Sequence, residues 1–309
     1  MITITNLTHS FINSKALSNV SFTIEKGSIV ALIGPNGSGK TTLLRCISTL
    51  QAIQEGSIVI NDIDISEFPR EIHKQIGYLA DNFGLYDDLT VRQCLEYTAK
   101  SHLLEVNNLA AVVDQCAKDA GVIDFIDKTV NTLSRGMRQR VGIAQAIIHQ
   151  PSILLLDEPA SGLDPEARIS LSKLLLDLKS RGMTLIVSSH ILAELEDYCT
   201  EMLILRNGEL IEHTKLISDN EKGNSNLTIK LVANNLTEDI VDAFFAEFGE
   251  SLKKIKLENN ELTFQLDEAK TKQHDLLSYL IKNNVEVKEL AIVKRNLQEE
   301  YIKTMQQSK

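Results

Sequence analysis

Three runs of the chain are apolar almost without interruption: SIVALIG at 28–34, SILLLD at 152–157 and MTLIVSS at 183–189. Runs of this length, bounded by turn or polar residues, predict strands buried on both faces. Each gives way to a loop and then to a 3.6-residue apolar period, which predicts helices over 40–50, 165–180 and 190–198. Strand-like and helix-like segments alternate through most of the chain, the pattern of an α/β domain with a largely parallel sheet. From 91 to 150 the period is helical, so a helical subdomain is expected to interrupt the sheet. ISDNEKGNSN at 217–226 is a polar, Gly/Ser/Asn-rich segment and reads as a linker. Beyond it the pattern predicts a strand (227–232), a helix (237–248), two strands about Asn259 and Asn260, a helix (268–283), a strand (285–292) and a last helix from Asn296. That β-α-β-β-α-β order is the split pattern of a ferredoxin-like small α+β domain. The expected organisation is therefore an α/β domain at 1–216 with its helical subdomain at about 83–150, a linker at 217–226, and a small domain at 227–309.

Composition narrows the possible partners. With 309 residues, 43% hydrophobic and 24% charged, the chain can build one large core and one smaller one. A formal net charge of −10 argues against a protein that grips nucleic acid over a broad basic face. Cys46, Cys94, Cys116 and Cys199 show no CxxC spacing, and the N-terminus lacks a charged region followed by an apolar run, which together point to a reduced, cytosolic setting. Cys46 falls on the apolar side of its helical pattern, as a small core residue does. The longest apolar runs fall far short of the roughly 18 residues that a membrane span needs.

The chemistry starts at GPNGSGKTT, residues 34–42, which fits G-x-x-x-x-G-K-[ST] between a predicted strand and a predicted helix. Glycines let the backbone of Gly34, Pro35, Asn36, Gly37, Ser38 and Gly39 curl so that successive N–H groups face a phosphate, and the helix start adds its positive end. Lys40 would reach the β- and γ-phosphates, the Thr41 hydroxyl would ligate Mg²⁺, and Thr42 completes the loop. A Gly-rich turn ahead of a surface helix is the plain alternative, but it gives no packing reason for Lys40 and Thr41 to occur together. ILLLDEP then ends a strand in Asp157, a carboxylate placed to hold Mg²⁺ largely through water, and Glu158, placed to orient or deprotonate an attacking water. Taken alone, two acids at a solvated strand end would mean little. His190 follows the strand MTLIVSS at the sheet edge where doubly wound folds bind nucleotides, whereas the other six histidines, His73 and His149 among them, read as solvated or packed.

LSRGMRQR, residues 133–140, raises a separate question. Ser134 is a good N-cap, yet Gly136 stands inside the first helical turn, where glycine costs about 1 kcal/mol relative to alanine. Capping alone gives no reason for it.

Together these segments resemble the ATP-binding-cassette (ABC) transporter ATPases over residues 1–212. GPNGSGKT is similar to the family's Walker A, ILLLDEP to its Walker B, SGLD (Ser161, Gly162, Leu163 and Asp164) to its D-loop and His190 to its switch histidine. LSRGM is similar to its LSGGQ signature, with Arg135 and Met137 departing in side chain only. The resemblance implies a P-loop NTPase fold with ATP and Mg²⁺ as ligands. It also implies two cassettes, here a homodimer, paired head to tail, each ATP lying between one Walker A and the partner's signature. Ser134, Arg135, Gly136 and Met137 would then face the partner's γ-phosphate. Phe11 aligns with the aromatic that stacks on adenine, a buried core position being the alternative. At the Q-loop position IGYLADNFG offers Asp81 in place of glutamine, able to ligate Mg²⁺ or a water, with Asn82 as a substitute.

The expected activity is ATP hydrolysis that switches a dimer between open and closed. A separate integral-membrane permease is implied, received at 83–97, with the chain peripheral on the cytoplasmic face of the membrane. LSRGMRQR and the C-terminal extension resemble the exporter branch. Two alternatives stand beside this one. A soluble ABC-type ATPase acting on ribosomes or nucleic acid would carry two cassettes or a coiled-coil insertion, and one phosphate loop without a heptad run is present. A P-loop kinase would leave LSRGM and SGLD unexplained.

Overall fold

The computed structural model describes residues 1–12, 14–102, 109–191, 195, 198–215, 226–258, 260–267 and 270–292. They divide into two compact units, Met1–Leu216 and Ile217–Glu299. The first runs β1 (Ile2–Phe11), β2 (Ser14–Ile24), β3 (Ile29–Ile33), α1 (Lys40–Ile47), β4 (Glu55–Ile60), β5 (Ile63–Asp64), α2 (Pro69–His73), β6 (Ile76–Leu79), α3 (Val91–Ser101), α4 (Leu109–Asp119), α5 (Arg135–Ile147), β7 (Ile153–Leu156), α6 (Pro165–Ser180), β8 (Thr184–Ser189), β9 (Glu201–Arg206) and β10 (Glu209–Lys215).

Six of these strands form one sheet in the order β10-β9-β3-β8-β7-β6. All neighbours are parallel except β10, which closes the edge antiparallel to β9. Every residue of β3, β7 and β8 is buried. Parallel strands covered on both faces need such unbroken apolar runs, and each fully buried Leu or Ile is worth about 1.5–3 kcal/mol. A second, antiparallel sheet has the order β2-β1-β4-β5. The main core lies between the sheets: Ile2, Ile4 and Leu7 of β1 and Leu43 and Leu44 of α1 meet Val30 and Leu32 of β3 and Leu155 of β7.

Between β6 and β7 the described residues hold α3, α4 and α5, which pack against one another. Thr90 caps α3 in a capping box with Gln93, and Arg92 ties the group together by pairing with Asp114 at 2.7 Å and Asp127 at 2.9 Å.

The second unit runs β11 (Asn226–Ala233), α7 (Glu238–Phe248), β12 (Leu252–Glu258), β13 (Glu261–Asp267), α8 (Gln273–Lys282) and β14 (Val287–Ile292). Its sheet is antiparallel throughout, in the order β12-β13-β11-β14. Phe244 of α7 and Phe264 of β13, with ring centroids 5.6 Å apart, centre a core completed by Ile229, Leu231, Leu276 and Leu280. Thr237 caps α7.

Several boundaries differ from the sequence-based expectation. The helix expected over 40–50 stops at Ile47, because Thr49 turns to a left-handed φ of 60°. Most of the helix expected over 190–198, residues 192–194, 196 and 197, lies outside the described residues; of the rest, the Tyr198 N–H donates to the Leu195 carbonyl. The linker expected at 217–226, apart from Asn226, and the helix expected from Asn296 lie outside the described residues. No described helix is long and apolar enough to cross a membrane.

Candidate functional site

Because β3, β7 and β8 are parallel neighbours in register, their carboxyl ends emerge side by side. Three segments far apart in sequence, beginning at Gly34, Asp157 and His190, are thereby delivered to one edge of the sheet. They line a cleft of about 540 Å³ together with Phe11, residues 14–16 and 36–42, Asp81 and Ser161.

Gly39, in a left-handed conformation with φ 105°, starts α1. The loop curls around Lys40, whose side chain is buried and whose ammonium donates to the Gly34 carbonyl at 2.8 Å. Beside it, the Ser38 hydroxyl is buried without a hydrogen-bond partner. A buried cation and an orphaned donor in one loop suit a bound anion.

Glu158 is the centre of the site. One carboxylate oxygen lies 3.3 Å from Lys40 Nζ and the other 2.7 Å from His190 Nδ1. Its backbone has a φ of 49°, unusual for a residue with a side chain and the kind of strain that gathers at functional sites. Ser188, wholly buried in β8, holds that conformation in place. Its hydroxyl accepts from the Glu158 N–H at 2.9 Å and donates to Asp157 Oδ1 at 2.6 Å. Asp157 is itself buried beneath the cleft. The Tyr78 phenol is pushed up to about 12, by burial first and by the Asp157 charge second, so it stays protonated.

Phe11 lines the cleft and is 49% exposed, which excludes the alternative of a core position. Its ring meets the buried His9 edge to face at 4.9 Å. Asp81 also lines the cleft, while Asn82 is exposed and is not among its lining residues. Among the described residues no group of three or more His, Cys, Asp or Glu could hold a metal unaided. Cys46 is fully buried in the core, and burial pushes its thiol up to about 11.

Ser134, Arg135, Gly136 and Met137 are not in this cleft. Ser134 caps α5, accepting from the Met137 N–H at 3.3 Å, and Asp164 caps α6, accepting from the Ala167 N–H at 2.8 Å. The starts of α5 and α6 touch, and a Cβ placed on Gly136 would fall 2.9 Å from Ala167 Cβ. The glycine therefore has a packing reason that the sequence alone did not supply. Sequence reasoning also missed Ser188. A serine inside an unbroken apolar strand needs a buried partner, and that was the available signal.

Comparison with known proteins gives a consistent result. A family model described as ABC transporter matches residues 17–161. A second, described as AAA domain, putative AbiEii toxin, Type IV TA system, matches residues 128–196. The ABC transporter ATP-binding protein NatA of Bacillus subtilis (strain 168) is 37% identical over 216 residues, 68% of this chain and 88% of that protein. The uncharacterized ABC transporter ATP-binding protein YcbN of the same organism is 33% identical over 299 residues, 96% of this chain and 94% of that one. Among solved structures, the dimeric post-hydrolysis state of an ATP-binding cassette bound to ADP and Pi superposes with a TM-score of 0.63 at 28% identity. That match covers 71% of this chain and 100% of the other.

Proposed function

Since this chain belongs to the ABC transporter ATP-binding protein family, we propose that it hydrolyses ATP to drive a separate membrane-spanning permease, two copies closing head to tail around two nucleotides. The observation that carries the reading is Glu158, gripped between Lys40 and His190 at the rim of the phosphate loop. Half-exposed Phe11 lines the same cleft, and an adenine would stack on it.

The residues fit the nucleotide and its metal. Backbone N–H groups of residues 36–42, the unpartnered Ser38 hydroxyl and Lys40 would hold the phosphates. Thr41, Asp157 and Asp81 offer the oxygen donors Mg²⁺ prefers, few enough that phosphate and water must complete the shell. Mg²⁺, when bound, neutralises phosphate charge. A phosphate reaching Lys40 competes with Glu158 for the same ammonium, so nucleotide binding frees one carboxylate oxygen to take a proton from water. His190 steadies the other oxygen at 2.7 Å, keeping the base aimed.

Ser134, Gly136 and Met137, with the D-loop residues Ser161, Gly162, Leu163 and Asp164, would face the partner copy's nucleotide. Residues 83–97 would receive the permease, placing the chain on the cytoplasmic face of the membrane. The second unit is read as a ferredoxin-like domain, and with LSRGMRQR it supports assignment to the exporter branch. The test is a tagged Glu158→Gln variant recovered from its native cells with ATP. It should bind ATP, lose hydrolysis by about 10²–10⁴-fold, and bring down a polytopic membrane protein. Recovery of ribosomal or other soluble proteins alone would sink the transport reading.

A further inference from the structure

Arg135 occupies the first turn of α5, where the positive end of the helix disfavours a cation. Its guanidinium does not extend freely into solvent. Nη2 donates to the Ser161 carbonyl at 2.7 Å, and the rest of the group lies on Gly162. A Cβ built on Gly162 would fall 2.4 Å from Arg135 Cζ and Nη1. The contact thus depends on Gly162 having no side chain. Ser161 in turn lines the nucleotide cleft, and its N–H donates to the Glu158 carbonyl at 3.1 Å. A short chain of contacts therefore leads from the start of α5 through residues 161 and 162 to the backbone of Glu158.

We propose that Arg135 is a positioning residue that clamps the loop at 161–164 to the start of α5, holding Glu158 in one cleft in register with the signature offered to the other. The proposal rests on the ATPase reading above. An arginine suits the task because its planar fork can donate to a carbonyl and lie flat on a residue without a side chain; a lysine ammonium can only donate.

The test uses the full-length chain with Arg135→Ala and Arg135→Lys. Four quantities are read: amide hydrogen exchange over residues 158–164, kcat and KM for Mg-ATP, and the Kd of a fluorescent ATP analogue. The Ala variant should exchange faster in this peptide, where Glu158, Ser161 and Leu163 N–H groups are now bonded. Its kcat should fall roughly tenfold to a hundredfold, as small misplacements of a base do, while analogue binding stays within about twofold of wild type. The Lys variant should fall between the two in both exchange and kcat. Unchanged exchange in the Ala variant, or faster exchange with an unchanged kcat, overturns the proposal. A wild-type chain that binds but never hydrolyses ATP would instead defeat the ATPase reading, and the exchange arm would still decide whether the clamp exists.

Discussion

Replacing Ser188 with alanine removes one hydroxyl from a fully buried position and breaks two hydrogen bonds at once. The bond to Asp157 is charge-assisted and worth about 1.5–3 kcal/mol, and the orphaned Glu158 N–H costs about 1–3 kcal/mol more. The expected loss is therefore about 2.5–6 kcal/mol. For a unit of this size each kcal/mol moves Tm by roughly 2–4 °C, so the transition should drop by about 5–24 °C. Ser180→Ala provides the control, since that hydroxyl caps an exposed carbonyl and a surface change of this kind stays within about 0.5 kcal/mol. Activity should fall further than stability implies, because the bond to Ser188 holds Glu158 at its φ of 49° and release lets the carboxylate swing from His190. The assay is thermal unfolding alongside steady-state ATP hydrolysis below the transition. Asp157→Asn/Ser188→Ala completes a double-mutant cycle, and its loss should be smaller than the sum of the single losses. A Ser188→Ala protein with Tm within about 1 °C of wild type and full kcat would refute the argument.

Phe11→Ala should weaken ATP binding by about 1–3 kcal/mol, the range for base stacking on an aromatic ring. Its effect on Tm should be small, since the ring is 49% exposed; equilibrium titration with ATP checks the first point and thermal unfolding the second. Gly136→Ala should cost about 1–3 kcal/mol of stability by overpacking against Ala167, and Ala167→Gly in the same chain should return it. If hydrolysis returns as well, packing is the whole reason for the glycine; if only stability returns, close approach to the partner's phosphate is a second one. His149 is stacked on His102 at 4.0 Å, and burial, then His102, push it down to about 4. Its folded value lies below the ordinary 6.5, so the native state binds fewer protons than the unfolded chain. Stability from this site is complete above about 6.5 and is lost as pH falls toward about 4; His149→Gln should flatten the dependence of Tm on pH across that window.

The central strands were legible because nothing interrupts them: IVALI, ILLL and TLIVSS are buried at every position. The antiparallel sheet was not read, although ITIT at the start of β1 alternates as a strand should. Asn6 and Asn19 take left-handed φ values of 51° and 53°, and the pairing of β1 with β2 slips beyond Ile4. A bulge shifts which side chains face the core, so the two-residue period fades within a few positions. The β9–β10 hairpin carried a signal that could have been used, the Asn207-Gly208 turn with φ of 50° and 80°.

The site divides in the same way. Residues that act through local geometry, the glycine loop with Lys40 and the acids ending β7, can be recognised from spacing, because strand and helix fix where their side chains go. Gly136 and Arg135 cannot, since their roles depend on distances to residues 167 and 161 that no local pattern encodes. This bears on how departures from LSGGQ are judged. Arg135 leaves the backbone N–H groups of LSRGM unchanged, as any residue would, but its side chain is committed to the Ser161 carbonyl and lies on Gly162 of its own chain. A substitution at 135 should therefore be read together with 161 and 162: an arginine here with a side-chain-bearing residue at 162 would lose its seat, and the clamp with it.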